Sequence, residues 1–518
     1  MSSRGVVAAG HPLTAEAGVA ILRDGGNAVD AAVAAVLASC VTESPLTGLG
    51  AGGYMLVHEG AESVVLDFFV AVGGLGGAKR SSELVPIPVH FTSESAQVFH
   101  IGAASCGVPG VPAGLVEAVS RFGSVGLAEL AAPAARMARE GVRITAGQAY
   151  FLEILVPILS HYEEAREIYA PDGHILREGD VFTFPDLGDA LELFGAEGAA
   201  PFYGGEIGAA VADWVLERGG TLGRADLAAY EPVSREPVRA AYRGREMLTN
   251  PPPSSGGILI AYALALLERL GDPDLENVVG AMEAAQAART DHFLAGLQSE
   301  TFAERFLDPA AIDGAAEAVA ARRRAAQGPL GPTDRLGSTT HITAVDAEGR
   351  CASVTCSNGT GSGLIVPGTG VHVNNMLGEE DLNPSGFHRH EPGSRLPSMM
   401  SPTVLLCDDE LEAGLGSGGS NRIRSAVLQT VLRMLSGGED VAAAVNAPRV
   451  HFESGAVQAE PGVDEAELER LAERGYEVVR WPERNVFFGG VHAVARDRAG
   501  GELRGGGDPR RGGAVARA

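Results

Sequence analysis

Two polarity rhythms divide the chain. From Thr14 the stretch TAEAGVAILRDGGNAVDAAVAAVLASCV keeps its apolar residues at helical spacing and breaks at Gly25-Gly26. That pattern predicts one helix starting at a Thr14 cap and a second from about Asn27 to Val41. Their alanine and glycine content suits packing against a flat surface. The next stretch, GLGAGGYMLVHEGAESVVLDFFV, holds two apolar runs joined by Glu-Gly-Ala-Glu and predicts a hairpin of buried strands. Residues 110–330 return mostly to helical spacing, as in LAELAAPAARMAREG, with a Pro/Gly/Ser loop, TNPPPSSGGI, at 249–258. Residues 310–338, rich in Ala, Arg, Gly and Pro, predict an exposed, mobile segment.

Beyond Ser338 the rhythm changes from helix to strand. THITAVDA alternates, Glu348-Gly349 turns, and CASVTCSN returns, which predicts a hairpin. Its antiparallel register sets Ser357 or Asn358 opposite Thr339, so a hydroxyl opening one strand faces polar side chains closing its partner. Further on, LEAGLGSGGSNRIRSAVLQTVLRML passes from a strand through Gly-Ser-Gly-Gly-Ser into an amphipathic helix. The first N–H groups of such a helix lack intrahelical partners and suit negative charge, although a plain glycine-rich turn would carry the same residues. Gly48, Gly50 and Gly53 match G-x-G-x-x-G, but this run follows a helix and opens a strand, the reverse of a dinucleotide-binding turn. A close approach of backbone to core or substrate accounts for it better.

Composition narrows the chemistry. At 518 residues the chain suits several domains or one large layered fold, and 45% apolar content supports a substantial core. The formal charge of −26 argues against nucleic acid, which needs clustered positive charge. Lys79 is the single lysine, so no phosphate-binding G-x-x-x-x-G-K-[ST] loop can be built. Cys40, Cys106, Cys351, Cys356 and Cys407 are widely spaced and form no C-x-x-C pair, which points to reduced core residues and no metal. The N-terminus holds no apolar run of signal-peptide length before His11 and Pro12, the longest apolar stretch, AAVAAVLASCV at 31–41, is too short to span a bilayer, and a cytoplasmic location is expected.

Seven segments, HPLTAEAGVAILRDGGNAVDAAVAA, GVPGVPAGL, PPPSSGG, STTHITAVD, VNNML, SMMSPT and GSGGSNRI, stand in an order that resembles the gamma-glutamyltranspeptidase family of N-terminal-nucleophile hydrolases. The resemblance implies an α+β fold, a four-layer αββα sandwich, and a precursor that cuts itself between Ser338 and Thr339. Residues 1–338 and 339–518 would then form a large and a small subunit that stay together, and a homodimer is compatible with the family. No cofactor is implied. Thr339 becomes the new N-terminus: its α-amino group, with an ordinary pKa of about 7.7 to 8.0, serves as base for its own Oγ. The family pattern assigns Ser357 as the hydroxyl bonded to the nucleophile, Gly418 and Gly419 as oxyanion donors, and Thr340 as support for cleavage or amine orientation. His341 reads mainly as structural.

The residues that grip a glutamyl group depart from the family's pattern. Its arginine after Asp-Phe is replaced by Phe69, and its Ser-Ser-Met-Ser-Pro by Ser398-Met399-Met400-Ser401-Pro402. Met376 and Glu379 stand where Gln and Asp are expected, with Asn358 and Glu379 left to hold an ammonium. Arg395 is a candidate replacement for the missing arginine. Three readings follow: cleavage of a glutathione-like gamma-glutamyl amide with transfer to water or an amine; an acylase for a non-glutamyl amide, its acyl group packed on Phe69 and Met399; or a catalytically silent binding subunit.

Overall fold

Two β-sheets lie face to face between two layers of helices, the αββα sandwich that the resemblance implied, in a computed structural model that describes residues 4–90, 96–299, 301–322, 339–497 and 500–518. Among the described residues, the first sheet has seven strands. In spatial order they are Ala514–Arg517, β1 (Gly5–Ala9), β4 (Thr340–Asp346), β5 (Cys351–Ser357), β2 (Gly52–Glu59), β3 (Glu62–Phe68) and Val233–Arg235. The second has six: Leu503–Gly507, β8 (Gly490–Arg496), β7 (Glu410–Gly418), β6 (Thr403–Cys407), Arg245–Thr249 and Val238–Tyr242. Strand alternation divides the core cleanly. In β1, Val7 and Ala9 face the helices while Val6 and Ala8 face the other sheet.

Helices α1 (Pro12–Arg23) and α2 (Ala28–Thr42) cover the first sheet. Every residue of α2 is buried, because the sheet lies on one side and other helices on the other. Asn27, near which the sequence predicts the helix to begin, caps it, with Oδ1 accepting the N–H groups of Val29 (2.8 Å) and Asp30 (3.1 Å). The predicted Thr14 cap is incorrect. His11 caps α1, its Nδ1 accepting the N–H of Leu13 at 3.1 Å, and Thr14 sits inside the first turn with its hydroxyl turned to Glu43. A second correction concerns residues 310–338. Pro309–Arg322 form a helix packed on α3 (Gly256–Leu270), since Ile312, Ala316 and Val319 recur at helical spacing and are buried; residues 323–338 lie outside the described residues. The mostly helical reading of 110–330 also missed three short strands between Val233 and Thr249, which alternate too briefly to stand out.

The glycines of β7 set the distance between the sheets. Gly414, Gly416 and Gly418 alternate, so all three face β4, and a Cβ at each would fall within 3.0 Å of Thr343, His341 and Thr339 respectively. This close seam is polar. His341 Nδ1 pairs with Thr355 Oγ1 at 2.8 Å and its Nε2 with Thr343 Oγ1 at 2.9 Å, which makes it the structural residue the sequence suggested. A second buried histidine, His372, packs against Gly361 in the loop after β5.

His372 and His492 are buried imidazoles that burial drives down to about 4. As pH falls from about 6.5 toward 4, the unfolded chain takes up protons at these sites that the folded chain refuses. Their contribution to stability is therefore full above the ordinary histidine range and is lost in acid, on the order of 3 kcal/mol per site. Urea unfolding near pH 7 and pH 4.5 should show the loss, and His372→Gln should flatten it; an unchanged slope would place the proton uptake elsewhere.

Candidate active site

The hairpin brings the predicted pair together. β4 and β5 pair with Thr340 opposite Cys356, so one step further Thr339 faces Ser357. Both line one pocket, and both are buried. Ser357 Oγ accepts the N–H of Gly359 at 2.9 Å. Asn358, the other predicted partner, has left the strand: its N–H goes to the carbonyl of Leu46 (2.9 Å) and its Nδ2 to that of His372 (3.2 Å), which holds its side chain in the loop and out of the pocket lining.

The glycine-rich segment after β7 reaches the same place from the second sheet. Gly418 ends the strand directly against the Thr339 carbonyl, and Gly419, with φ of 131°, packs on Gly489. Ser420 lines the pocket and donates to Asp381, whose other oxygen accepts Asn421 Nδ2 at 3.0 Å. Helix α4 (Arg422–Leu435) follows, and its Ile423 completes that wall.

The remaining walls are largely apolar. Phe69, Met376, Leu382, Met399 and Met400 line the pocket, with Phe69 stacked on Tyr54 at 5.3 Å between ring centres. Ser398 is also there, its Oγ accepting the N–H of Met400 at 3.0 Å. Two carboxylates complete the lining, Glu379 and Asp381. Enclosure of the Glu379 carboxyl pushes it up to about 7, against the pull of an Asn375 hydrogen bond. No arginine lines the pocket among the described residues. Arg395, the suggested substitute, is held elsewhere: it pairs with Asp67 at 3.7 Å, lies 4.1 Å from the Tyr230 ring centre and donates to the Glu231 carbonyl.

The Asn pair of VNNML acts as a brace. Asn374 Nδ2 donates to the carbonyls of Gly50 (2.8 Å) and Gly107 (2.9 Å), and Asn375 Nδ2 to Thr360 Oγ1 (2.9 Å). This also explains the glycine run at 48–53. A Cβ at Gly50 or Gly53 would overlap the His372 or Thr355 carbonyl, so the run permits close backbone approach, as its strand-opening context suggested.

Thr340 points the other way. Its hydroxyl donates to the buried carboxyl of Glu43, and the Thr339 carbonyl accepts Arg511 Nη1 at 3.2 Å. Sequence reasoning missed both partners. The available signal for Glu43 was an acid just past the end of a largely apolar helix; Arg511 is one of many arginines and carried none. Ser338, on the other side of the expected cut, lies outside the described residues.

Known proteins resemble the chain along most of its length. A profile described as gamma-glutamyltranspeptidase matches residues 14–518. The chain is 30% identical to a glutathione hydrolase proenzyme of Bacillus subtilis (strain 168), over 99% of this chain and 91% of the relative. It is 32% identical to the acylase ACY 1 proenzyme of Pseudomonas sp. (strain SE83), over 95% of this chain and 90% of the relative. In structure it resembles a cephalosporin acylase from Bacillus halodurans, with a TM-score of 0.85, 26% identity, and coverage of 99% of this chain and 96% of the other.

Proposed function

The chain belongs to the gamma-glutamyltranspeptidase family of amide-cleaving and acyl-transferring enzymes, and from that premise we propose a self-processing acylase whose acyl group is mainly apolar and lacks an α-carboxylate. One observation carries the choice of acyl group: the pocket beside Thr339 has a wall of Phe69, Met376, Leu382, Met399, Met400 and Ile423, two carboxylates, and no arginine among the described lining residues. An α-carboxylate placed there would face Asp381 and a Glu379 carboxyl that enclosure holds partly neutral, with no arginine among the described lining residues to pair with it. The loss of charge-assisted hydrogen bonds, each about 1.5 to 3 kcal/mol, is enough to weaken binding by orders of magnitude. The pocket is narrow, about 40 Å³. An acyl group therefore enters by displacing side chains, and unbranched methionines repack readily.

The chemistry begins with cleavage between Ser338 and Thr339. In the uncut chain the Thr339 nitrogen is an amide and no base; cutting turns it into an amine beside its own Oγ. That Oγ attacks the substrate carbonyl, the oxyanion is met by N–H groups at Gly418 and Gly419, and the amine departs with a proton. Ser357 supports the nucleophile from the opposite strand. Water or a second amine then releases the acyl group from Thr339.

Two subunits, 1–338 and 339–518, would not drift apart. β4 and β5 from the second portion lie between β1 and β2 from the first, so the cut leaves both portions interleaved in one sheet.

Gamma-glutamyl donors are the second reading. It is favoured by Glu379 and Ser398, an acid for an ammonium and one remaining hydroxyl, both in the pocket. Processed protein assayed with a simple acyl anilide and a gamma-glutamyl anilide separates the two. We expect kcat/KM higher for the acyl anilide by roughly two orders of magnitude, following the missing cation; the opposite preference would return the glutamyl reading to first place.

A further inference from the structure

Two side chains that this reaction scheme does not use stand behind the nucleophile. Glu43, just past the end of α2, receives the Thr340 hydroxyl on one carboxyl oxygen and that of Thr14 on the other, at 3.0 Å. Gly10 packs against the same carboxyl so closely that a Cβ there would overlap it. Arg511 comes from the C-terminal segment, donates to the Thr339 carbonyl at 3.2 Å, and lies 5.3 Å from the centre of the Phe151 ring. Both residues line a second cavity, with His11 and Gln148, that shares no lining residue with the acyl pocket.

We infer that Glu43 and Arg511 are positioning residues for the nucleophile: Arg511 fixes the Thr339 carbonyl, Glu43 fixes the Thr340 hydroxyl, and together they aim Thr339 into the acyl pocket. This rests on Thr339 being the nucleophile. The need arises from the cut itself. A chain end has lost the covalent restraint on its amino side and is free to fray. The plane of the 339–340 peptide then decides where the Thr339 amine and Cβ point, and the ladder between β4 and β5 starts only at Thr340. Contacts on the carbonyl before that peptide bond and on the side chain after it hold the plane from both ends.

The Glu43 environment supports a functional origin. Burial pushes its carboxyl up to about 7, against hydrogen bonds from Thr340 and Thr14 and the charge of Arg511. Above the ordinary carboxylate range the folded chain therefore holds a proton that the unfolded chain releases, so the acid costs stability as pH rises toward 7. A buried acid kept at such a cost fits a role in activity better than one in folding.

The test compares full-length Glu43→Gln, Arg511→Met, Arg511→Lys and Thr339→Ala for self-cleavage, kcat, KM and Tm. For Glu43→Gln we expect an unlowered Tm, an unchanged KM, and cleavage and kcat slower by about 10- to 100-fold. Arg511→Met should lose a similar factor, with part recovered in Arg511→Lys. The inference is overturned if Glu43→Gln and Arg511→Met cut and turn over like the parent while Thr339→Ala is inert. A lowered Tm or a raised KM in Glu43→Gln, in place of slower turnover, overturns it equally. Activity retained in Thr339→Ala would instead remove the reading on which it rests.

Discussion

Thr339→Ala should leave a single uncut polypeptide with no amide-cleaving activity. The change removes one hydroxyl and one methyl from a residue already at the end of its strand, so the fold should persist with an almost unchanged Tm. The expected loss of function is complete for two linked reasons. Self-cleavage needs the Oγ to attack the preceding carbonyl, and turnover needs both that Oγ and the amine the cut exposes. Thr339→Ser tests the same point from the other side, since it keeps the hydroxyl and should keep slow cleavage. An alanine variant that still separates into two chains would show that the cut is made by another group.

Gly418→Ala is the second large effect, and it follows from geometry. The added Cβ would fall 2.1 Å from the Thr339 carbonyl oxygen and 3.0 Å from the carbonyl carbon, backbone atoms just ahead of β4 that Arg511 holds. Something must move, and the chain end carrying the nucleophile has the fewest restraints. A displacement near 1 Å at the reacting atom costs about 100-fold in rate. Overpacking of this kind adds a stability cost of roughly 1 to 3 kcal/mol. We therefore expect processing and kcat to fall by about two orders of magnitude or more, with a Tm lower by several degrees. Gly438→Ala is the control: that glycine has open space where a Cβ would go, although its φ of 63° adds local strain, so any stability loss should come without a matching loss of kcat. Equal kcat losses in the two variants would remove the steric argument.

How far the site was legible in the sequence depends on whether its parts were neighbours in the chain. Thr339 and Ser357 were readable because a short turn fixes their register. The four-layer fold was legible through the resemblance alone; the change from helical to alternating rhythm after Ser338 gave only the hairpin of β4 and β5. Long-range contacts were not. Glu43 stands 297 residues before Thr340, and nothing in its own helix says that Thr340 will cross it. Arg395 has the charge to replace the family's arginine, but Asp67 and Tyr230 hold it away from the acyl pocket. Thr14 has the residue type of a helix cap, but the Glu43 carboxyl claimed its hydroxyl and left capping to His11. Gly416 and Gly418 read as part of a loop leading into a helix, whereas both belong to β7 and, with Gly414, set the spacing between the sheets.

The central claim is that Thr339 is an N-terminal nucleophile. Its most direct test is the intact mass of the processed protein, quenched in acid during turnover of an acyl anilide. The account predicts a small chain that begins at Thr339 and gains the mass of one acyl group, located on its first residue. A chain beginning elsewhere, or an acyl group on any other residue, would contradict it.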